Sequence, residues 1–333
     1  MSIIEKAAQR LEQLRKAGVE APLVVADSGA EKAPASPPQE QGGAQERHTP
    51  PLQSIHLADA AEVVSTPAIA ASAPPAQSVE MMRRSKAVEI DLAALAAAGY
   101  ITPEAKRSQL ADEFRVLKRP VITNAQGPSA AKVPRANCVM VASALPGEGK
   151  SFVALNLALS IASEVDSTVL LVDADVANPN VIKRLHLPAA RGLLDLLTDP
   201  NIDLSDVLLR TNVEKLSLLP AGSAHGRATE MLASAAMAEL VQQMSTRYPD
   251  RILVFDSPPL LATTEARVLA SHMGQIVMVV EADVTTHGAV AKALETVENC
   301  PIVLMVLNKA ERTEVGNYYY GYGYGYGAYG SKN

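Results

Sequence analysis

The sequence has few of the features that mark a disulfide-bonded, membrane-spanning or nucleic-acid-binding protein. It has two cysteines, Cys138 and Cys300, each in or beside a predicted core strand, so we expect small buried side chains in a reducing compartment. No apolar run approaches the about 20 residues that span a bilayer. The net charge of −6 argues against a nucleic-acid partner. The charged N-terminus does not resemble a secretory signal, so we expect a cytoplasmic chain, unless a partner holds it at a membrane.

Changes in composition along the 333 residues predict five segments. Residues 1–20 have a short apolar face flanked by Lys and Arg, which predicts an amphipathic helix that binds a membrane surface, a partner or its own domain. Residues 21–80 are rich in Pro, Ala, Gln and Ser and predict a disordered linker, because they bury too little apolar surface to offset the entropy of ordering. Residues 81–132 predict a helical segment, residues 133–312 an α/β domain, and residues 313–333 a tail.

Two helices are expected within the helical segment. The first covers Val88 to Gly99 and ends at that glycine. The second has Thr102 as its N-cap and Pro103 at its first helical position, and it stops by Pro120. It carries three charged residues, Asp112, Arg115 and Lys118. Because these are spaced three apart, we expect them to share one face, which is either solvated or paired with another subunit.

From residue 133 onward, apolar strands alternate with helical patterns. The predicted strands are Cys138–Ala142, Thr168–Val172, Leu216–Leu219, Arg251–Phe255, Gln275–Val280 and Ile302–Leu307. The predicted helices include Phe152–Ile161, which has an amphipathic pattern, Ala228–Met244 and Gly288–Val297. Fully apolar strands in this arrangement predict an α/β fold with a mostly parallel sheet, helices on both faces, and a ligand site at the carboxyl ends of the strands.

The segment Ala144-Leu-Pro-Gly-Glu-Gly-Lys-Ser151 lies between the first strand and a helix, which is the context of a phosphate-binding loop and predicts a P-loop NTPase fold. The usual pattern has glycine where this chain has Ala144. The two glycines let backbone N–H groups converge on an anion. We expect Lys150 to reach the β- and γ-phosphates and the Ser151 hydroxyl to hold Mg²⁺. The expected nucleotide contacts are Pro146, Gly147, Glu148, Gly149, Lys150, Ser151 and Phe152, with Asn308 as the candidate reader of the adenine base.

Three carboxylates follow strands that should end beside this loop. Asp256 follows four apolar residues and fits the Walker B role of holding Mg²⁺. Asp173 and Asp175 lie two positions apart on an extended segment, so their side chains should point the same way. One could order the water shell of the metal and the other could accept a proton from a hydroxyl. The expected catalytic residues are Lys150, Asp173, Asp175 and Asp256, and the expected metal ligands are Ser151, Asp175 and Asp256.

Seven of the nine tyrosines lie in the last stretch of the chain, where they alternate with glycine. The glycines disfavour a helix and offer little to pack, so we expect a mobile, low-complexity tail. The tyrosines are Tyr318, Tyr319, Tyr320, Tyr322, Tyr324, Tyr326 and Tyr329.

In this order, the phosphate loop, the Asp173 and Asp175 pair, Asp256-Ser-Pro-Pro259 and the tyrosine tail resemble the bacterial tyrosine autokinases of exopolysaccharide synthesis. The first six residues and residues 85–120 resemble the exosortase (XrtA)-associated branch. The resemblance implies ATP and Mg²⁺ as cofactors and the tail tyrosines as phosphoacceptors. It also implies that Asp173 is the base or orienter of the tyrosine hydroxyl. The charged residues at 112, 115 and 118 correspond to an oligomerisation motif.

The same resemblance implies partners. They are neighbouring subunits in a ring whose tails enter each other's sites, a membrane-embedded chain-length determinant of the Wzz type as activator, and a tyrosine phosphatase. The protein would then lie at the inner membrane through its activator.

Two alternatives remain open. Ala177 and Asn178 stand where the family usually has basic residues, which predicts lower or more partner-dependent activity and motivates a nucleotide-gated scaffold that transfers no phosphate. A positioning or partition ATPase would have the same fold, but it would carry a lysine at the position of Leu145 and would lack the tail.

Overall fold

The fold is built on one sheet of eight strands. The computed structural model describes residues 85–103, 108–127, 133–248 and 250–310. The strands in chain order are β1 (Lys86–Ala87), β2 (Cys138–Ser143), β3 (Thr168–Asp173), β4 (Leu209–Arg210), β5 (Leu216–Leu219), β6 (Arg251–Asp256), β7 (Gln275–Glu281) and β8 (Ile302–Asn308). The helices in the same ranges are α1 (Leu92–Ala97), α2 (Gln109–Gln126), α3 (Lys150–Ala162), α4 (Val181–Arg184), α5 (Leu193–Thr198), α6 (Leu204–Val207), α7 (Ala228–Leu232), α8 (Ala235–Arg247), α9 (Thr264–Ser271) and α10 (His287–Thr296).

Three predicted segments lie outside the described residues. They are the N-terminal amphipathic helix at 1–20, the linker at 21–80 and the tyrosine tail at 313–333. No helix in the described ranges combines the length and the apolar character needed to cross a bilayer.

The sheet has the strand order β1-β4-β5-β3-β6-β2-β7-β8. All neighbouring strands run parallel except β4 and β5, which are antiparallel. Each strand predicted from the sequence is present, and most continue one residue further at the carboxyl end. That extra residue is polar in each case, so β3 ends on Asp173 and β6 on Asp256. The predicted mostly parallel α/β sheet is confirmed.

Two apolar cores lie on opposite faces of the sheet, as expected when helices cover both sides. One core includes Phe114 and Val121 of α2 and Leu157 of α3. The other includes Met237 of α8 and Leu269 of α9. Cys138 and Cys300 are both buried in the second core, as predicted.

Helix α3 is present as predicted, but it is buried on nearly every side, so the predicted amphipathic character is wrong. Residues 153–162 are all buried, including the polar Asn156 and Ser160. The sheet covers one face of α3 and helix α2 packs against it as well. A helix enclosed in this way needs no polar face.

Helix α1 is shorter than the predicted helix from Val88 to Gly99. The Asp91 side chain accepts a hydrogen bond from the Ala94 N–H at 2.9 Å and thereby fixes the first turn at Leu92. The predicted end holds, because Gly99 has a positive φ of 81° just beyond the helix.

The predicted bounds of the second helix are wrong at both ends. Ser108, and not Thr102, is the N-cap of α2, since its side chain accepts from the Ala111 N–H at 3.1 Å. The helix also runs through Pro120, which removes one backbone donor. The turns beyond the proline bury Val121 and Asn124, and this burial outweighs the missing hydrogen bond.

The single helix predicted from Ala228 to Met244 is in fact two helices. Helix α7 ends at Leu232, and α8 begins after Ser234, whose side chain accepts from the Met237 N–H at 3.2 Å. The Ser234 side chain caps the backbone in place of a helical hydrogen bond, so one helix ends and the next begins at this point. Leu232 and Met237, on either side of it, are both buried in the core.

The segment before residue 133 shares the core of the domain that follows it. Ile90 exchanges two hydrogen bonds with the side chain of Asn212, at 2.8 and 3.0 Å. The Ile101 N–H donates to the side chain of Asn156 in α3 at 2.8 Å. The helical segment predicted at 81–132 is therefore, in its described part, a layer on the α/β domain.

The three charged residues of α2 do not share one face, so this prediction is wrong for Lys118. Asp112 and Arg115 form an exposed ion pair, with about half of each side chain accessible (50% and 52%). Lys118 is only 6% accessible, and its ammonium group contacts the Ser160 carbonyl at 2.7 Å and Glu164 at 2.7 Å. A spacing of three drifts by about 60° per step on a helix of 3.6 residues per turn, which carries the third residue to the buried side.

We predict that Lys118→Met lowers the free energy of unfolding by about 1–3 kcal/mol, because it leaves the Ser160 carbonyl without its cationic partner and Glu164 with only the exposed Arg119. Arg115→Met, on the exposed part of the same helix, should change it by about 0.5 kcal/mol or less. Urea unfolding followed by circular dichroism measures both variants. Equal losses would contradict this account of α2.

Candidate active site

The phosphate loop joins the end of β2 to the start of α3. Gly147 and Gly149 have positive φ values of 88° and 96°, which side-chain-bearing residues rarely adopt. A Cβ on Gly149 would also lie 2.1 Å from the Asn308 amide nitrogen. Ala144 is fully buried and does not have a positive φ, so alanine fits where the usual pattern has glycine. Pro146 lies at the exposed tip of the loop.

Three carboxylates meet at the carboxyl edge of the sheet, beside this loop. Asp173 and Asp256 are direct neighbours in the register of β3 and β6. Asp175 follows two residues after β3, and its carboxylate lies 3.0 Å from the Lys150 ammonium group. All three residues are buried, with accessible fractions of 3% or less. The structure therefore brings together the four residues predicted to be catalytic.

Asp173 is tied to the turn that follows Asp175. One of its oxygens accepts the Val181 N–H at 2.9 Å, and the other has no hydrogen-bond partner among the described residues. Burial raises its pKa to about 7, and the neighbouring charges of Asp256 and Asp175 add to the rise. The N–H groups of Val181 and Asn180 lower the pKa in part. This carboxyl can therefore gain or lose a proton near neutral pH.

Asp256 is the least compensated of the three. Neither of its oxygens has a hydrogen bond of normal geometry within the described part of the chain. Burial raises its pKa to about 6, while the Ser151 hydroxyl and the charge of Lys150 oppose the rise. Unpartnered buried carboxylate oxygens are unusual in proteins and call for a bound cation or water.

These residues fit Mg²⁺ bound together with a nucleotide. The described residues hold no cluster of three or more His, Cys, Asp or Glu arranged to bind a metal by themselves. Mg²⁺ generally takes only one or two protein carboxylates and completes its shell with water and phosphate oxygens. Asp256, with two free oxygens beside the Ser151 hydroxyl, meets that requirement. Asp175 is instead occupied by Lys150.

Two of the expected nucleotide contacts have other partners. The Asn308 amide donates to the Glu148 carbonyl at 2.8 Å, so its predicted contact with the adenine base stays a prediction. The Phe152 ring packs against Tyr100 and Phe114, with centroids 5.1 and 6.5 Å away. Because the ring is packed in this way, only the backbone of Phe152 is left to contact a nucleotide.

Sequence reasoning missed several residues that shape the site. Lys309 donates to the Gly147 carbonyl at 2.9 Å, and the Thr285 hydroxyl donates to the Glu148 carboxylate.

Arg184, at the end of α4, donates to the Tyr100 hydroxyl at 2.8 Å, and its charge lowers the pKa of Asp256. It brings positive charge to the region where Ala177 and Asn178 supply none. Residues so distant in sequence carry no local signal, although a lysine after the last strand beside Asn308 could have been noted.

No protein-family model matches the chain. Among curated proteins it is 32% identical over 186 residues to the tyrosine-protein kinase YwqD of Bacillus subtilis, covering 55% of this chain and 77% of that one. It is 31% identical over 187 residues to the tyrosine-protein kinase wzc of Salmonella typhimurium, covering 56% of this chain but only 26% of that one. It is 31% identical over 223 residues to the succinoglycan biosynthesis transport protein ExoP of Rhizobium meliloti, covering 66% of this chain and 27% of that one. The chain thus spans about a quarter of the length of the longer relatives.

Two solved structures share the fold. The chimerical protein CapA2B2 has a TM-score of 0.53 at 24% identity, covering 66% of this chain and 92% of that one. The BceF tyrosine kinase domain has a TM-score of 0.52 at 24% identity, covering 70% of this chain and 86% of that one.

The buried carboxylates make the stability of the protein dependent on pH. Asp173 has a pKa of about 7 in the folded chain against 3.8 as its ordinary value, so the folded state holds the proton more tightly. Stability should therefore fall as pH rises from about 4 to about 7. We predict that Asp173→Asn removes most of this fall. Without Mg²⁺ and nucleotide, it should raise the free energy of unfolding by about 1–4 kcal/mol at pH 8 and change it little near pH 4.

Urea unfolding in EDTA at a series of pH values measures this effect. Asp199→Asn is the matched control, because the Asn201 N–H lowers the pKa of that exposed carboxylate. Removing the Asp199 carboxylate should therefore not raise the free energy of unfolding at pH 8. The same pH slope in wild type and Asp173→Asn would contradict the assignment.

Proposed function

Because this chain belongs to the bacterial tyrosine-protein kinase family, we propose that it is an ATP-dependent autokinase that phosphorylates its own C-terminal tyrosines. The observation that carries the proposal is the meeting of Lys150, Ser151 and three buried aspartates at one edge of the sheet. Phosphoryl transfer needs just these parts: a cradle for phosphates, a metal ligand and a group that orients the attacking hydroxyl.

In the proposed reaction the loop N–H groups and Lys150 bind the β- and γ-phosphates of ATP. Mg²⁺, held by Ser151 and Asp256, would supply charge neutralisation between those phosphates. Lys150 pairs with Asp175 at 3.0 Å, so its ammonium group is already aimed at the edge of the sheet where the phosphates would lie. Asp175 also accepts the Asn178 N–H at 3.2 Å and in this way holds the turn after β3.

Asp173 is the proposed acceptor of the proton from the tyrosine hydroxyl. Its pKa of about 7 suits a general base at neutral pH. Its carboxylate is fully buried and accepts the Val181 N–H. For a tyrosine to reach Asp173, the residues that cover it must therefore move aside, and a partner that favours this movement would activate the enzyme.

We also propose that the tail of one subunit enters the site of a neighbour in a ring, with the exposed Asp112 and Arg115 at the contact. The same family resemblance supports a membrane-embedded, Wzz-type chain-length determinant as activator, a tyrosine phosphatase as its opponent, and a role in exopolysaccharide export at the inner membrane. The assignment to the exosortase-associated branch belongs to this proposal as well.

We predict that the purified protein, incubated with ATP and Mg²⁺, gains phosphate stepwise and that the phosphate maps to Tyr318 through Tyr329. Lys150→Met should lower the rate by at least about 100-fold, because it removes a charge that stabilises the transferring phosphoryl group. Intact mass spectrometry, with and without the cytoplasmic segment of the activator, measures both.

The other outcomes of that experiment separate the alternatives. ATP turnover without added mass would indicate a positioning ATPase. Neither turnover nor added mass, even with the activator present, would indicate a nucleotide-gated scaffold.

We predict further that the tail is phosphorylated by another subunit. A full-length chain whose seven tail tyrosines are replaced by phenylalanine should act only as a kinase, and Lys150→Met only as an acceptor. Mixing the two should place phosphate on the tail of the Lys150→Met chain, although neither protein gains phosphate alone. An unmodified Lys150→Met chain in the mixture, with the wild type active, would mean transfer within one chain.

A further inference from the structure

The back of the phosphate loop is held by residues from the far end of the chain. Four residues, which we call the loop brace, come from the end of β7, the turn after it and the end of β8: Glu281, Thr285, Asn308 and Lys309. The loop residues that Thr285, Asn308 and Lys309 contact lie more than 130 positions earlier in the sequence. None of the four belongs to the phosphate loop or to the carboxylate cluster.

The first contact of the brace is with the side chain of Glu148. This carboxylate is buried, with 2% of the residue accessible. One oxygen accepts the Leu145 N–H at 2.7 Å and so closes the loop on itself, and the other accepts the Thr285 hydroxyl. The Thr285 oxygen in turn accepts the Glu281 N–H at 3.1 Å, which leaves its own proton free to point at Glu148.

The second set of contacts is with two carbonyls of the loop. Asn308 donates to the Glu148 carbonyl at 2.8 Å. Lys309 donates to the Gly147 carbonyl at 2.9 Å and pairs with Glu281 at 2.9 Å. The Asn308 carbonyl accepts the Ala282 N–H at 2.9 Å, which joins the end of β8 to the turn.

These contacts determine which way the loop N–H groups point. In a trans peptide the C=O and the following N–H point in opposite directions. When the brace holds the carbonyls of Gly147 and Glu148 on its own side, the N–H groups of Glu148 and Gly149 must face the other side. Those N–H groups are among the donors that a phosphate-binding loop offers to the anion.

We propose that Thr285, Asn308 and Lys309 are positioning residues for the phosphates of ATP. They act through the loop, keeping its N–H groups turned toward the anion before it binds. This inference rests on the nucleotide site proposed above and gives the three residues a role that neither the motif nor the comparisons assign; for Asn308 this role is separate from its predicted contact with the adenine base. Pre-organisation of this kind should affect mainly the affinity for nucleotide and not the rate of phosphoryl transfer, because the brace need not change during the transfer.

The test compares two substitutions at one position. Thr285→Val keeps the shape of the side chain but removes the hydroxyl, whereas Thr285→Ser keeps the hydroxyl. Calorimetric titration of the full-length protein with Mg-ADP should show Kd raised about tenfold by Thr285→Val and by less than about twofold by Thr285→Ser. In autophosphorylation assays, the KM for ATP should rise with Kd, while kcat at saturating ATP should stay within about twofold.

Two further variants keep the test decisive if Thr285→Val folds poorly. Lys309→Met alters a half-exposed side chain and should raise Kd about two- to fivefold. Asn308→Asp puts an oxygen against the Glu148 carbonyl and should raise Kd about tenfold or more. Asn212→Asp is the structural control, because it replaces the amide that donates to the Ile90 carbonyl by an oxygen, far from the loop; it should lower thermal stability and leave Kd unchanged.

The outcomes distinguish this inference from the proposed function. If the wild type binds Mg-ADP and all the brace variants bind it equally well, the brace has no positioning role, and the kinase proposal stands. The inference fails if Thr285→Ser binds Mg-ADP as weakly as Thr285→Val does, or if Asn212→Asp weakens binding as much as the brace variants do. Either result would mean that the substitutions act through general stability. If the wild type binds no nucleotide, both proposals fail.

Discussion

The burial of three aspartates at one edge of the sheet is the constraint around which the site is built. Neighbouring parallel strands β3 and β6 place Asp173 and Asp256 side by side, and no rearrangement within the strands could separate them. Burial raises both pKa values, and neighbouring carboxylates add to the rise: Asp256 and Asp175 act on Asp173, and Asp175 acts on Asp256. The structure offsets the cost only in part, with Lys150 against Asp175 and the Val181 N–H against Asp173. What is left uncompensated is Asp256, the carboxylate best placed to bind a cation.

The phosphate loop adds a second constraint, because it must present N–H groups to an anion within a few ångströms of those carboxylates. Nucleotide without a metal would bring more negative charge to a site that already carries an excess of it. Of the nearby cations, Lys150 is shared with Asp175, Arg184 is held by Tyr100, and Lys309 contacts the Gly147 carbonyl and Glu281. A divalent cation bound by Asp256 together with the phosphates would offset the negative charge of both. The arrangement therefore supports the proposed dependence on Mg²⁺.

Much of the fold could be predicted because its signals are local. Apolar runs of four to six residues predicted six strands of the sheet, all but one followed by a polar residue, and the loop motif predicted its functional edge. The predictions failed where a distant contact overrode a local rule. Pro120 should have ended α2, but burial of Val121 and Asn124 carries the helix through it. Lys118 was placed on a charged face by its spacing, yet Ser160 and Glu164 draw it inward. Thr285 had no local signal at all, since its role depends on a residue 137 positions away.

The end of β8 links the nucleotide site to the proposed substrate. Lys309 touches the phosphate loop, and Tyr318 follows only nine residues later, which an extended chain can span over at most about 32 Å. Length alone would therefore let a tyrosine reach the site of its own chain. The last described contact of the chain, from Lys309 to the Gly147 carbonyl, lies on the side of the loop opposite to the one that its N–H groups face. The described residues therefore end on the side away from the proposed nucleotide site, which fits the proposed transfer between chains better than transfer within one chain.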